Sequence, residues 1–190
     1  MLSILIPVFN FEITSLVRSL HEQCEENKIQ YEIFCLDDTS SNQFHVINSS
    51  VSALPNVLYK RLEKNLGRSR IRNKLAQEAK YENLLFMDCD SEVVSKEFIK
   101  TYIPYCNNEK VTCGGRVYEE TIPADRKKIL RWKSGRRSEE TTAAIRNRNP
   151  FNSFMTNNFL ISKKIFLENR LDESLSGYGH EDTLFGFQLK

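Results

Sequence analysis

The sequence predicts an α/β fold in which one open, mostly parallel sheet is flanked by helices. Two observations carry this prediction. Short apolar runs alternate with segments in which apolar residues recur at intervals of three and four, as in strands and amphipathic helices. A cluster of polar residues follows each of the first four apolar runs, which is typical of strands that end at the ligand-binding edge of such a sheet. The length of 190 residues is enough for one sizeable core, so a single domain is expected.

Four strands and three helices alternate in the first half of the chain. The strands are predicted at 2–6, 31–36, 56–61 and 83–88, the first of them stopping at Pro7. Three apolar series predict the helices: Ile13, Leu16, Val17, Leu20 and Cys24; then Phe44, Ile47, Val51 and Leu54; then Ile71, Leu75 and Ala79, which face inward. Parallel strands joined by helical crossovers place their carboxyl ends at one edge, so the polar clusters that follow them are expected to lie together.

The alternation loosens after Glu92. Further elements are predicted in this order: a helix at 95–103, a strand at 111–120 bent at Gly114 and Gly115, a strand at 154–161, and a helix at 163–169 capped by Ser162. The last ten residues, 181–190, have the pattern of a helix that stops without a cap. We therefore expect the chain to be truncated at its C-terminus.

Composition and charge exclude several kinds of protein. With 27 Lys and Arg against 25 Asp and Glu, the formal charge is only +2, so no nucleic-acid partner is expected. The five cysteines form no CxxC pair and no cluster with histidine at zinc-ligand spacing. Free thiols suit a reducing compartment, and neither a signal peptide nor a run of about 20 apolar residues is present. A cytoplasmic protein is expected, with peripheral contact with the inner face of the membrane left open.

Two aspartates at the end of the fourth strand are candidates for a binding site. In "LLFMDCDSE", Asp88 and Asp90 are one residue apart and follow a run that predicts a buried strand. Carboxylate oxygens favour Mg²⁺, Mn²⁺ or Ca²⁺, which commonly bridge protein carboxylates to substrate phosphates. The alternative is an aspartate that ends the strand and caps the next helix. The motif alone does not decide between the two.

Two more clusters follow the second and third strands. Asp38 lies in "LDDTSS", where a carboxylate suits a hydrogen bond to a ribose hydroxyl or a base N–H. Alternatively, the residues of this cluster only form turns and cap the following helix. In "NLGRSRIRN", Gly67 permits a tight turn into a helix whose N-terminus, together with Arg68, favours an anion. The alternative there is a solvated basic helix face formed by Arg68, Arg70, Arg72 and Lys74.

The fourth cluster is "GYGHEDTLFG" near the end of the chain. Gly177 and Gly179 permit a bent approach to a helix that Glu181 and Asp182 open. The helix dipole favours an ionised carboxylate at this end, while the neighbouring like charge opposes it. An ionised aspartate here is able to accept a proton from an attacking sugar hydroxyl. Alternatively, the acidic residues only suit a helix N-terminus.

A basic stretch, 126–137, contains seven basic residues and no acidic one. Its interleaved Ile129, Leu130 and Trp132 suit a segment lying on an anionic membrane surface, which would fit a lipid-linked acceptor. However, Gly135 and the flanking charges oppose a long amphipathic helix. We therefore predict a mobile, solvated loop on the acceptor side of the domain.

Taken together and in order, these segments resemble the family 2 glycosyltransferases of the GT-A type. The resemblance rests on five stretches: "SILIPVFN", "LDDTSS", "NLGRSRIRN", "LLFMDCDSE" and "GYGHEDTLFGFQL". It implies one Rossmann-like GT-A domain over 1–190, with a nucleotide-sugar-binding half at 1–92 and an acceptor-side half at 93–190. It also implies an enzyme of polysaccharide biosynthesis that uses Mn²⁺ or Mg²⁺ and a nucleotide-sugar donor, expected to be a UDP-sugar.

The resemblance implies roles for the candidate residues on the donor side. Pro7 and Asn10 would line the nucleotide pocket. Asp38 would contact the base or ribose, and Arg68 would lie near the base or the diphosphate. Asp88 would hold the ribose side of the donor.

It implies roles on the reacting side as well. Asp90 would bind the divalent ion that neutralises the diphosphate leaving group. Asp182 would be the catalytic base, with Glu181 beside it positioning a glycan or lipid-linked acceptor. The implied reaction is a single displacement that inverts the anomeric carbon. Relatives usually continue past this last helix with elements that often close the site, so turnover by this chain alone is in doubt.

Two other functions stay open at this point. A sugar-phosphate nucleotidyltransferase also uses an open sheet and a carboxylate-bound metal, although no glycine-rich opening loop with a lysine supports it. A non-catalytic module that binds nucleotide sugars or glycans would need the donor site but not Asp182.

Overall fold

A computed structural model of the chain describes residues 1–107, 109–151, 154–175 and 180–190. Gly177 and Gly179, for which a bent approach to the last helix is predicted, lie outside the described residues.

Six strands in the described part of the chain form one mixed sheet. They are β1 (Leu2–Val8), β2 (Tyr31–Asp37), β3 (Val57–Arg61), β4 (Asn83–Met87), β5 (Thr112–Cys113) and β6 (Asn158–Ser162), in the spatial order β3-β2-β1-β4-β6-β5. The first four strands pair in parallel, whereas β6 runs antiparallel to both β4 and β5. This arrangement confirms the predicted open, mostly parallel sheet.

Helices cover both faces of the sheet. They are α1 (Thr14–Glu26), α2 (Asn42–Ser49), α3 (Arg68–Glu78), α4 (Phe98–Tyr102), α5 (Arg126–Ser138), α6 (Ala143–Arg146), α7 (Lys163–Asn169) and α8 (Glu181–Gln188), with 3₁₀ turns at Ser50–Ala53 and Ile103–Tyr105. The apolar sides of α1 and α4 contribute to the core on one face, and those of α3, α7 and α8 to the core on the other. Ser162 caps α7 as predicted, because its Oγ accepts the backbone N–H of Ile165 at 3.2 Å.

Several element boundaries differ from the predictions. Pro7 lies inside β1, opposite Leu36 of β2, instead of ending the strand. Helix α2 is shorter than predicted and exposes Ile47, because its buried residue is Asn48, whose side chain bonds the backbone of the loop before α1. The strand predicted at 111–120 is reduced to the two residues of β5.

Successive residues of the central strands serve opposite cores. In β4, Leu85 lies in the core beneath α1, while Phe86 lies in the core beneath α3, and both are fully buried. Such two-sided burial explains why these strands are nearly continuous apolar runs in the sequence.

A cluster of phenylalanines fixes the late elements to the sheet. Phe86 of β4 stacks on Phe159 of β6 and on Phe166 of α7, with ring centroids 4.9 Å apart in both pairs. Phe185 of α8 packs against Phe166 at 5.4 Å. Aromatic packing of this kind adds specific geometry to the burial of large apolar surfaces. It therefore holds the N-terminus of α8 beside the end of β4.

The prediction of a mobile loop for the basic stretch is wrong, because residues 126–138 form helix α5. Asp125 caps the helix by accepting the backbone N–H of Lys127 at 2.9 Å. Gly135 is buried against the ring of Tyr118, and a Cβ there would lie 2.2 Å from Tyr118 Cζ. Gly135, which was expected to oppose a helix, is thus the residue that allows α5 to pack closely against Tyr118.

A half-buried carboxylate, Glu139, also holds α5 in place. Burial opposes ionisation of Glu139, but hydrogen bonds from Arg131, Tyr118 and Arg116 lower its pKa to about 2. Glu139 therefore stays ionised and ties the end of α5 to the segment that precedes it. These contacts depend on tertiary structure, which a helix-propensity argument cannot include.

Replacement of Phe159 by alanine tests the phenylalanine cluster. Because Phe159 is fully buried between β4 and α8, Phe159→Ala is expected to lower the free energy of unfolding by about 3–5 kcal/mol. Urea denaturation followed by circular dichroism measures the loss. The matched control is Phe187→Ala on α8, where the ring is 53% exposed and the expected loss is below about 1 kcal/mol. Equal losses in the two variants would contradict the assigned core.

Candidate active site

The loops after β1 and β2 are joined at the carboxyl edge of the sheet. The backbone N–H of Asn10 donates to Ser40 Oγ, and the Asn10 side-chain oxygen accepts the backbone N–H of Ser41, both at 2.8 Å. Pro7 is half-buried and is the last residue but one of β1, and Asn10 is exposed in the loop that follows. Both residues thus lie at the edge for which the nucleotide pocket is predicted.

The two aspartates after β2 perform different structural tasks. Asp37 forms the turn, since its Oδ1 accepts the Ser40 N–H at 2.6 Å while its other oxygen accepts the hydroxyl of Tyr59. Asp38 accepts the backbone N–H groups of Leu66 at 2.6 Å and Gly67 at 2.9 Å. Burial raises the pKa of Asp38, and these two hydrogen bonds only partly offset the effect. Asp38 therefore joins the loop after β2 to the turn that begins α3.

Two residues of these loops have a left-handed backbone conformation. Thr39 has φ +71° and Asn10 has φ +49°, both in the left-handed region. A β-branched residue rarely adopts this conformation, and such strain tends to gather at functional sites. The hydroxyl of Thr39 is also buried without a hydrogen-bond partner among the described residues.

Gly67 makes the predicted tight turn into α3. Its φ of +80° and ψ of 175° define a conformation that is almost restricted to glycine. Its N–H is already donated to Asp38, so it is not free to receive an anion. The turn thus places the first residue of the helix, Arg68, directly beside the loop of Asp38.

Two arginines of α3 reach to other parts of the candidate site. The Arg68 guanidinium donates to Glu181 at the start of α8. Arg72, one helical turn later, is buried and donates to Asp88 Oδ1 at 2.5 Å. The interpretation of α3 as a solvated basic face is therefore wrong for Arg72. It fits Arg70 better, which forms an exposed pair with Glu173.

The two aspartates after β4 differ in their surroundings. Asp88 is anchored twice, since its backbone N–H donates to Asn157 O at 3.0 Å and its side chain pairs with Arg72. Asp90 is exposed and makes no hydrogen bond or ion pair with the residues that the structure describes. Neither residue caps the next helix, because α4 begins at Phe98 with Glu97 in the cap position. The alternative interpretation, in which an aspartate of this pair only caps the next helix, is therefore not supported.

The acidic pair of α8 lies against α3 and the loop before β6. Glu181 is buried and bonded to Arg68, while Thr156 donates its hydroxyl to Asp182 Oδ1 at 2.8 Å. Burial acts to raise the pKa of Glu181, but its own backbone N–H and the Arg68 guanidinium outweigh it, so the pKa lies below the ordinary 4.5. Glu181 is consequently a fixed negative charge, and Asp182 stands next to it as a half-buried carboxylate.

Electrostatic coupling shows that these residues form one cluster. Burial acts to lower the pKa of Arg68, yet Glu181 raises it, and so do the nearby carboxylates of Asp88 and Asp182. Arg72 in turn helps to lower the pKa of Glu181. The structure therefore brings together four residues predicted to form the site, which are Arg68, Asp88, Glu181 and Asp182.

No group of three or more His, Cys, Asp or Glu side chains suited to a metal ion occurs among the described residues. Among these residues, the exposed Asp90 is a single carboxylate of the kind that Mg²⁺ and Mn²⁺ prefer as a ligand.

Sequence reasoning missed three residues of the site. Arg72 was grouped with the solvated basic residues, although its position between Ile71 and Leu75 on an inward-facing helix was a usable signal. Thr156 and Asn157 lie in a segment predicted only as a strand, and nothing in their spacing indicated contacts with Asp182 and Asp88.

The comparison with protein families decides the classification. The sequence model described as glycosyl transferase family 2 matches residues 3–168. The chain belongs to glycosyl transferase family 2. This assignment confirms the resemblance inferred from the five sequence stretches.

Solved structures similar to this one confirm the GT-A fold. A crystal structure of S. aureus TarS 1-349 has a TM-score of 0.68 and 21% identity, covering 99% of this chain and 54% of that chain. TarS 1-349 in complex with UDP-GlcNAc gives a TM-score of 0.67 at 21% identity over 98% of this chain and 52% of that one. The mannosyltransferase PcManGT from Pyrobaculum calidifontis, in complex with GDP-Man and Mn²⁺, has a TM-score of 0.61 and 11% identity. The match covers 99% of this chain and 51% of that chain.

The chain spans about half the length of these solved structures. The comparison with curated protein sequences found no match. Within the described residues, none of the helices has the length and apolar character required of a transmembrane segment.

Substitution of Gly67 tests whether the turn before α3 requires glycine. No heavy atom lies within 4 Å of the position that a Cβ would occupy, so Gly67→Ala changes only the backbone preference. We expect a loss of about 1–3 kcal/mol in the free energy of unfolding, measured by urea denaturation. Glu63→Ala, an exposed change in the same loop, is the control and is expected to stay within about 0.5 kcal/mol. A loss equally small in Gly67→Ala would show that this position does not require glycine.

The lowered pKa of Glu181 gives a testable pH dependence of stability. A carboxylate whose pKa is depressed on folding contributes stability above its unfolded pKa and loses it as the pH falls through the folded value. The difference in unfolding free energy between wild type and Glu181→Gln is therefore expected to be constant above pH 4.5 and to shrink below it. Glu168 is exposed, so Glu168→Gln serves as the control. Its unfolding free energy is expected to differ little from that of wild type at every pH. A wild-type advantage over Glu181→Gln that grows on acidification would contradict the assigned ion pair.

Proposed function

We propose that this domain belongs to an inverting glycosyltransferase that moves a sugar from a nucleoside-diphosphate sugar, preferentially a UDP-sugar, to a hydroxyl of a glycan or lipid-linked acceptor. The observation that carries the proposal is the meeting of three distant segments at one sheet edge. Helix α3, the end of β4 and the start of α8 are joined there by the Arg68–Glu181 and Arg72–Asp88 pairs. Membership in glycosyl transferase family 2 supports the reaction class.

The donor is proposed to lie across the loops after β1, β2 and β4. Pro7 and Asn10 line the nucleotide pocket, and Asp38, whose carboxylate secures the turn before α3, is proposed to contact the base or ribose. Asp88, held in place by Arg72, faces the ribose side of the donor. Arg68 stands between these residues and α8, where a guanidinium favours the base-proximal phosphate.

The residues at this edge fit a divalent cation, Mn²⁺ or Mg²⁺. The fit rests on Asp90, an exposed carboxylate with no hydrogen bond or ion pair among the described residues, placed two positions after the anchored Asp88. Oxygen ligands of this kind are preferred by these ions. A bound cation would neutralise the negative charge that develops on the departing diphosphate. PcManGT, similar in fold, was solved with GDP-Man and Mn²⁺.

The chemistry on the acceptor side is proposed to fall to Asp182. Its Oδ1 accepts the Thr156 hydroxyl, which orients the carboxylate and leaves the second oxygen to take the proton of the acceptor hydroxyl. That hydroxyl oxygen then attacks the anomeric carbon opposite the leaving diphosphate, so that one displacement inverts the configuration. Glu181, ionised and bonded to Arg68, positions the acceptor beside Asp182 and does not compete for the proton.

Calorimetric titration tests the donor site. Purified chain is titrated with UDP, GDP and CMP, each with and without Mn²⁺, and the same series is run on Asp90→Ala. We expect binding of UDP that depends on Mn²⁺ and is lost in Asp90→Ala, because the diphosphate then lacks its shared cation. Glu92→Ala, also exposed and in the same loop, is the control and should bind UDP as wild type does. UDP binding that is indifferent to both Mn²⁺ and Asp90 would overturn the metal-assisted site.

The proposed base is tested with Asp182→Asn. Loss of a general base is expected to reduce kcat by about 10²–10⁴-fold while the calorimetric Kd for UDP stays unchanged. The assay measures release of UDP from UDP-sugars in the presence of glycan acceptors, using the longest form of the protein that contains this domain. Thr183→Val, an exposed neighbour on α8, is the control. Turnover that survives in Asp182→Asn would favour another base, and donor binding without any turnover in wild type would favour a binding module.

A further inference from the structure

Helix α5 presents a cationic stripe to the outside of the domain. We define the α5 stripe as Arg126, Leu130, Lys133 and Arg137, which are spaced at i, i+4, i+7 and i+11 and so share one side of the helix. All four are exposed, and Leu130, in the middle, is 79% exposed. Leu130 is the most exposed large apolar side chain among the described residues, and the three other positions of the stripe are all basic.

The opposite side of α5 is the side that holds the helix to the domain. Gly135 lies against Tyr118, and the indole N–H of Trp132 donates to the backbone oxygen of Glu119 at 2.8 Å. Arg131 is paired with Glu139 at 2.5 Å. These contacts fix the rotation of the helix, so the α5 stripe points away from the protein as a consequence of packing.

The cations of α5 fall into two groups. Arg131 and Arg136 are neutralised by Glu139 and Glu140. The remaining five form no ion pair with any residue that the structure describes, and they are Arg126, Lys127, Lys128, Lys133 and Arg137. Since the whole chain carries a formal charge of only +2, this helix concentrates positive charge that the rest of the molecule does not share.

The geometry points to the α5 stripe as a docking surface for an anionic lipid bilayer. Unpaired cations supply attraction to lipid headgroups, and the exposed Leu130 adds an apolar group that gains free energy on insertion among acyl chains. A soluble polyanion would satisfy the cations but would leave Leu130 in water. The combination of both features on one side of a rigidly held helix therefore favours a membrane over a soluble anionic polymer.

This surface is connected to the candidate active site. The segment that leads from β5 to α5 contacts Asn158, whose side chain donates to Gly115 O at 3.4 Å. The neighbouring Asn157 accepts the backbone N–H of Asp88. Docking through α5 would thus hold the acceptor-side half of the domain at the bilayer, where lipid-linked acceptors reside. The docking itself does not depend on the proposed transfer reaction.

Co-sedimentation with vesicles tests this inference. The purified chain is mixed with vesicles of phosphatidylcholine alone or of phosphatidylcholine and phosphatidylglycerol in equal parts. Binding is expected only to the anionic vesicles and should weaken as the NaCl concentration rises, because salt screens surface charge beyond about 8 Å at physiological ionic strength. No binding to anionic vesicles at low salt would overturn the inference.

Charge variants assign the binding to the α5 stripe. Each basic side chain near an anionic surface strengthens binding about fivefold, so the triple variant R126Q/K133Q/R137Q is expected to bind roughly 100-fold more weakly. The matched control, R18Q/K96Q/K164Q, removes the same charge from exposed positions on other elements and should bind as wild type does. Equal weakening in both variants would mean that only net charge matters, which contradicts a defined docking surface.

Leu130 separates the membrane from a soluble polyanion. Leu130→Gln is expected to weaken vesicle binding about tenfold, since the apolar contribution is lost while the charge is unchanged. Binding to dextran sulfate, a soluble polyanion, should not depend on Leu130. If Leu130→Gln binds vesicles as wild type does while dextran sulfate displaces the chain from them, the α5 stripe recognises polyanions in general and the membrane assignment is wrong.

Discussion

Two arginines on one side of α3 hold the candidate site together. Arg68 and Arg72 are one helical turn apart, and they reach Glu181 at the start of α8 and Asp88 at the end of β4. The two partners are far apart in the sequence, so the pairs join three separate segments, which are α3, the end of β4 and the start of α8. Removing either arginine would leave a buried or half-buried carboxylate without its compensating charge, which is costly in a partly desolvated site. The two pairs therefore connect the segments that carry Asp88, Glu181 and Asp182.

The fold supplies the rigid support that such pairs require. Parallel pairing of β1 with β2 and β4 brings the loops after these strands to one edge, where Asp38 secures the turn before α3 through two backbone N–H groups. On the other side of the site, the phenylalanine cluster fixes α8 against β4 and β6. The strained backbone conformation of Thr39 is tolerated because these contacts over-determine the loop in which it lies. Precise placement of reactive groups by rigid elements is what catalysis and phosphate recognition both require.

The sequence predicted the sheet and the candidate carboxylates because those signals are local. Continuous apolar runs identify strands that are buried on both faces. The pair Asp88 and Asp90 is recognised from a motif of only three residues. It did not distinguish Arg72 from its exposed neighbours, because the partner of Arg72, Asp88, follows a different element, β4. It also predicted a loop where α5 forms, since the benefit of Gly135 appears only when the ring of Tyr118 lies against it. Tertiary contacts determine both the burial of Arg72 and the formation of α5, and the spacing of apolar residues in the sequence does not reveal such contacts.

The central claim is that this edge of the sheet is one nucleotide-sugar site organised by the two arginines of α3. A crystal structure of the chain with UDP-GlcNAc and Mn²⁺ tests it most directly. The nucleotide is expected beside Asp38 and the loop of Asn10, its diphosphate between Arg68 and a cation held by Asp90, with the Arg72–Asp88 pair intact. A nucleotide bound at another face of the sheet, or bound at this edge with the cation remote from Asp90, would contradict the claim.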